Sequence, residues 1–162
     1  MTATASSALW FLPFVTPIAL WAAYSDLSTM KIPNKSVLAL MAIFLVVGLI
    51  ALPFAEYWPR LIHFVVILLV GFVLTMTGLV GAGDAKFAAA MAPFVALSDA
   101  TFVIMLFAVS AVIGVVGHRL AKRTPLRKLA PNWESWNRTK DFPMGLPLAA
   151  TLVIYLCFVA FT

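Results

Sequence analysis

Two of the six carboxylates in this chain, Asp26 and Asp84, stand where chemistry is possible. Each lies at the point where a long apolar run gives way to a short polar segment. Asp26 opens the stretch Asp26-Leu27-Ser28-Thr29-Met30-Lys31-Ile32-Pro33-Asn34, and Asp84 follows Gly78, Gly81 and Gly83. A lone charge beside apolar helix is expensive, so ionisable groups at such depth mark functional sites. Two carboxylates brought close cannot both ionise readily. One stays protonated while the other is a base near neutral pH, which is the division of labour in aspartic proteases. The base activates a water and the acid donates to a carbonyl oxygen. The pair titrates as a unit, so neither member is given a separate role.

The remaining chemistry-bearing residues read more plainly. Glu56 and Asp99 fall in connections on one side of the apolar runs, Glu134 and Asp141 in a polar loop on the other, and a solvated position accounts for all four. His63 and His118 fall at opposite ends of their runs, cannot share a metal, and read as interfacial side chains. Ser25 has no histidine or lysine placed to activate it and reads as a helix-end hydroxyl. The single cysteine, Cys157, excludes an intrachain disulfide and a multi-cysteine zinc site. No metal and no cofactor is expected.

The elements that position the two aspartates follow from composition. The chain has 162 residues, 64% hydrophobic and 10% charged, with mean hydropathy +1.06. A water-soluble fold of this composition could not cover its own surface, so its solvent is lipid. Apolar runs at Ala8–Tyr24, Ser36–Pro53, Leu61–Val80, Thr101–Gly117 and Met144–Phe161 approach the roughly 20 residues that cross a bilayer. A sixth, Ala85–Leu97, is shorter. Connections are expected at Ile32-Pro33-Asn34, Glu56-Tyr57-Trp58-Pro59 and Ser98-Asp99. The runs lack the alternation of barrel strands, which leaves helices as the way to satisfy the backbone in lipid. The expected fold is all-α: one domain, residues 1–162, of six transmembrane helices. The start, which lacks a basic region, reads as a short retained tail leading into the first span.

Orientation follows from Lys and Arg. With both termini outside, the inner loops hold Lys31, Lys35, Lys86, Arg119, Lys122, Arg123, Arg127, Lys128, Arg138 and Lys140, and only Arg60 of the eleven cations lies outside. The net charge of +5 therefore describes membrane orientation and not nucleic-acid binding. A basic cytosolic loop spans residues 118–142. Its first half is expected against anionic headgroups. In its second half Trp133 and Trp136 read either as an interfacial aromatic anchor or as a docking surface for a membrane-embedded substrate.

This orientation brings Asp26 and Asp84 to one membrane face. Around Asp84 the glycines permit positive φ and close approach, and the helix that follows offers its positive end to the carboxylate. A glycine-rich turn with Asp84 as helix cap is the plainer reading of the same residues. Lys86 points away and reaches for headgroups. The 14 residues from Asp84 to Leu97 span about 21 Å, against about 30 Å of hydrocarbon. Asp84 is thus expected in a water-filled depression. Asn34 is expected to cap the second span.

At these residues the chain resembles the type IV prepilin peptidase family, membrane proteases of the GxGD class. Two motifs carry the resemblance: Asp26 through Lys31, Ile32, Pro33 and Asn34, and Gly81-Ala82-Gly83-Asp84-Ala85-Lys86. A weaker match is Pro143-Met144-Gly145, where methionine replaces the family's aromatic residue. The resemblance implies an aspartic endopeptidase of the inner membrane that removes the basic leader of prepilins and pseudopilins at the cytosolic face. It places the catalytic aspartates at Asp26 and Asp84, with Lys31, Ile32, Pro33, Asn34, Gly81, Gly83, Lys86, Pro143 and Gly145 in support. Neighbouring readings are a preflagellin-type peptidase, a non-catalytic assembly component of a pilus or secretion system, and a proton-coupled transporter. The chain starts at its first span and has no CxxC, so it resembles the short, peptidase-only branch accompanying tight-adherence (Flp-type) pili. Purified protein given a processed pilin and labelled S-adenosylmethionine is accordingly expected to transfer no methyl group; labelled pilin would overturn that assignment.

Overall fold

The computed structural model describes residues 4–138 and 141–162. The first three residues of the tail, and Lys140 among the counted cations, lie outside them. Six α-helices follow one another: α1 (Ala5–Thr29), α2 (Asn34–Ala51), α3 (Phe54–Met76), α4 (Ala82–Met91), α5 (Ala100–Arg123) and α6 (Gly145–Phe161). There is no strand among the described residues. Four segments, Ala5–Thr29, Asn34–Ala51, Phe54–Met76 and Leu97–Arg123, are long and apolar enough to cross a bilayer. The molecule is thus an all-helical protein of membrane type.

The surface agrees with a lipid solvent. Val65, Leu69 and Phe72 on α3 and Ile104, Val112 and Ile113 on α5 are exposed, and Val103 is the sole buried residue of α5. An exposed apolar surface of that extent is not that of a soluble monomer. Helix α1 packs on α2 and α6, while α4 sits among α2, α3 and α6, and α5 leans on α6. At one end an aromatic cluster forms the core. Phe94 meets Phe11 edge-on at 4.9 Å and Phe44 at 5.4 Å, and Phe44 stacks on Tyr57 at 5.4 Å. Such pairings add to the area they bury.

Several boundaries differ from the sequence expectation, each for a local reason. Helix α1 runs past Tyr24 to Thr29, because hydroxyls supply what the polar residues lack in apolarity. Ser28 and Thr29 donate to the Ser25 carbonyl, and Ser25 to that of Lys31. Asp26 is therefore inside a helix. The chain then reverses through Met30, at φ 55°. Asn34 begins α2 and does not cap it; Pro33 occupies the cap position without a side-chain bond, and Ser36 donates to the Pro33 carbonyl at 2.7 Å. The expected connection Glu56–Pro59 is the first turn and a half of α3, and the chain turns at Leu52-Pro53 instead. Pro59 is the sixth residue of α3 and cannot give the helical N–H bond to the Ala55 carbonyl, a loss that helices in a bilayer tolerate.

The short fourth run is shorter still. Helix α4 has 10 residues, about 15 Å, or half of the ~30 Å hydrocarbon core. The chain completes the distance by 3₁₀ turns at Ala92–Phe94 and Leu97–Asp99. Irregular backbone at depth needs partners for its polar groups. Buried Arg60 donates to the Phe94 carbonyl at 3.4 Å while paired with Glu56 at 3.1 Å. The Tyr155 hydroxyl accepts from the Ala96 N–H at 3.3 Å and donates to Asp99 at 2.8 Å. Glu56 and Asp99 are thus more than solvated loop residues: both belong to the polar network that holds this turn. Tyr155→Phe leaves the buried Ala96 N–H and Asp99 without that partner. It is expected to cost about 1–3 kcal/mol, read as a lower unfolding midpoint in detergent, with the helical circular dichroism of the folded state unchanged.

Candidate functional site

Asp26 faces inward from the last turn and a half of α1 and is 5% exposed. A carboxylate so placed requires a hydrogen-bond donor. The donor is the Gly145 N–H, first in α6, at 2.7 Å from Oδ2. A Cβ at Gly145 would lie 2.9 Å from both Asp26 Cβ and Oδ2. Glycine here is a requirement of space, and the unprotected N–H of a helix start supplies a favourable field for an anion. In the sequence a weak motif alone groups Pro143 and Gly145 with the aspartates; contact with Asp26 gives Gly145 a physical role, and Pro143 lines the cavity beside it.

Asp84 is the third residue of α4, not its cap; Gly81 occupies the cap position with no side-chain bond. The three glycines before Asp84 serve three different ends. Gly78 takes φ 75° and closes α3 in a Schellman turn, with Gly78 N–H to Thr75 O at 3.0 Å and Leu79 N–H to Leu74 O at 3.1 Å. Gly81 has no side chain because the Asp84 carboxylate lies where it would be: a Cβ would be 2.7 Å from Oδ2. Gly83 faces Ile32, 3.5 Å from a would-be Cβ to the isoleucine Cβ. Through that contact the Ile32-Pro33-Asn34 segment and the glycine-rich turn meet. Lys86 is exposed, and neither it nor Lys31 forms an ion pair among the described residues.

Both aspartates line one cavity of about 690 Å³. Its apolar wall comes from Ile67, Val70 and Leu74 of α3, Phe107 of α5 and Leu148 of α6. Another wall comes from the polar loop, with Arg138, Asp141, Phe142 and Pro143. Asp141, read from sequence as a solvated loop residue, thus borders the cavity, though it is largely exposed and 3.8 Å from Arg138. No group of three or more His, Cys, Asp or Glu side chains is arranged for a metal among the described residues.

Two features escaped sequence reasoning. Gly71 of α3 meets Ala85 at 2.9 Å from a would-be Cβ, which seats α4 against α3 next to Asp84. The available signal was a small residue inside an apolar span. The second is an aromatic ladder that carries the polar loop. Tyr24 meets Trp133 at 6.0 Å, Trp133 stacks on Trp136 at 5.6 Å, Trp136 on His118 at 4.6 Å, and His118 meets Phe142 at 5.7 Å. Trp136 is buried, with its indole N–H donated to the Ala130 carbonyl at 2.7 Å. Trp136 and His118 are therefore packed internally rather than facing the membrane interface, and the ladder fixes Phe142 at the cavity wall. Ser25, with its hydroxyl given to Lys31, remains a helix-end residue.

The glycine contacts separate in their cost. Gly145→Ala strikes the Cβ of Asp26, which cannot move without its helix, and is expected to destabilise by about 1–3 kcal/mol. Gly81→Ala meets only the far end of the Asp84 side chain and is expected to leave the unfolding midpoint close to that of the parent while displacing the carboxylate. Gly117→Ala, with open space around it, is expected to be neutral or to stabilise by up to about 1 kcal/mol. Thermal unfolding of the three purified variants in one detergent checks the order.

Comparison with known proteins gives one match. The model of the type IV leader peptidase family matches residues 14–117, which include both aspartates and the segments around them. No curated protein and no solved structure matches the chain. With nearly two thirds of its length matched and the two aspartates inside that stretch, the chain belongs to the type IV leader peptidase family.

Proposed function

We propose that this protein is an aspartic endopeptidase that removes the leader of prepilins and pseudopilins, with Asp26 and Asp84 as its catalytic pair. Family membership makes it a peptidase of type IV leaders. The observation that carries the assignment of residues is the shared cavity: two carboxylates from distant parts of the chain, each held by a glycine contact, open onto one space.

The geometry supports the following reaction. One carboxylate, ionised, takes a proton from water as the oxygen attacks the scissile carbonyl carbon. The other, protonated, gives its proton to the carbonyl oxygen, and a tetrahedral diol results. Collapse of the diol breaks the C–N bond, the departing nitrogen takes up a proton, and the pair returns to its singly protonated state. The Gly145 N–H fixes one oxygen of Asp26 throughout, so the carboxylate keeps its orientation without reorganisation. No metal takes part in this scheme. The apolar wall formed by Ile67, Val70, Leu74 and Phe107 suits the hydrophobic helix that follows the leader in such substrates.

The excess of Lys and Arg on the aspartate side supports an active site facing the cytosol, with both termini outside and α4 and α6 completing six spans. The protein is then a multi-pass protein of the inner membrane, its partners the bilayer and its membrane-embedded substrates. The substrate proposed within that family is a Flp-type prepilin.

Co-expression with a candidate prepilin, followed by gel shift of the leader, tests the pair. Asp26→Ala and Asp84→Ala are each expected to reduce processing by at least about 100-fold at unchanged protein level, and Glu134→Ala to leave it intact. Processing by either aspartate variant would rule out the dyad.

A further inference from the structure

A second concavity, of about 540 Å³, lies beside the aspartate cavity and shares Arg138, Asp141 and Phe142 with it. Four more cations line it: Arg119, Lys122 and Arg123 from the end of α5, and Arg127 from the 3₁₀ turn that follows. One carboxylate, Asp141, faces the five, and it is paired with Arg138 alone; Arg119, Lys122, Arg123 and Arg127 make no ion pair among the described residues. The fold holds these like charges together. The Lys122 ammonium donates to the Arg138 carbonyl at 3.3 Å, which closes the loop onto α5, and the aromatic ladder fixes His118 and Phe142 at its edge. His118 also lines the basin, and its Nε2 is buried with no hydrogen-bond partner among the described residues. Converging cations call for an anion with several acceptor oxygens.

The surroundings narrow the source of that anion. Leu120, Leu126 and Leu129 stand exposed next to the cations, Leu129 at 82%. Leucines in that position have favourable contact with acyl chains and none with a free ion in water. A cationic peptide would be repelled by the same five charges. We propose that this basin is a binding site for the headgroup of an anionic glycerophospholipid. Its phosphodiester is gripped by Arg123, Arg127 and Lys122, and its chains lie against Leu126 and Leu129. Arginine suits the task because its planar fork matches two phosphate oxygens at once. The site stands independently of the peptidase assignment. Because the two cavities share Arg138, Asp141 and Phe142, a bound headgroup would also brace the loop that walls in the aspartates.

The test measures lipid retention by native mass spectrometry of the full chain released from detergent, after addition of phosphatidylglycerol, phosphatidylcholine or inorganic phosphate. The parent is expected to retain phosphatidylglycerol and neither of the other two. Lys122→Gln/Arg127→Gln is expected to weaken that retention at least about 30-fold, the loss of two charge-assisted hydrogen bonds to the phosphodiester. Lys35→Gln/Lys128→Gln removes the same charge from residues outside the basin and is expected to change retention by no more than about threefold. Equal retention of phosphatidylcholine, or retention of inorganic phosphate by the parent, would overturn the assignment to an anionic lipid. An equal loss in the two double variants would assign the effect to diffuse surface charge and overturn the site. Circular dichroism of both double variants verifies that each is folded, and a variant that fails this control is replaced by the single changes Arg127→Gln and Lys128→Gln.

Discussion

A carboxylate buried in an apolar bundle must be given a donor, and in this protein the donor is the first N–H of the last helix. The bond from Gly145 to Asp26 joins residues 119 apart in sequence at 2.7 Å, and much of the architecture can be understood as what that contact requires. It needs α6 to start level with the last turns of α1, so the two helices pack along their length. It needs a glycine, because a Cβ would occupy the space of the aspartate. It also needs the loop between α5 and α6 to arrive at the right depth, and the ladder from Tyr24 through Trp133, Trp136 and His118 to Phe142 sets that depth. A loop held only by its polar residues would be free to fray; this one is held by stacked rings with their edges in the bundle.

The second carboxylate is placed by the opposite device, a shortage of helix. Helix α4 is only 10 residues long, and Asp84 sits near its positive end beside a cavity. The far side of the molecule must compensate. There the chain crosses the remaining depth in 3₁₀ turns, and the backbone groups that these leave without helical partners are met by Arg60 and Tyr155. Site and scaffold thus meet in one short helix: Asp84 lies near its start, and the polar network holds the turns beyond its end.

How far the site could be read in advance differs from residue to residue. Asp26 and Asp84 stood out because a charge next to apolar helix has few structural explanations. Asp99, Glu56 and Asp141 did not, since a carboxylate in a connection looks alike whether it is solvated or paired with a partner 56 residues away, as Asp99 is with Tyr155. Trp136 and His118 were read as interfacial for the same reason: amphipathic rings near a helix end fit a membrane surface and an internal stack equally well. The Glu56–Pro59 segment carries the proline and charge that usually punctuate a chain, yet it lies inside α3, because membrane helices tolerate proline.

Composition and periodicity alone determined the solvent, the helical class and the side of the chain on which cations gather, because each depends on sums over many residues that no single contact can reverse. The residue pattern also singles out the two aspartates and the glycines before Asp84, whereas Gly145 enters only through the family resemblance. What only the tertiary structure decided was why each glycine is there and what each polar group answers to: Gly78 for its φ, Gly81 for the Asp84 carboxylate, Gly83 for Ile32, Gly145 for Asp26. Those are pairings between distant segments, and their energy resides in contacts of a few ångströms that a one-dimensional pattern does not contain.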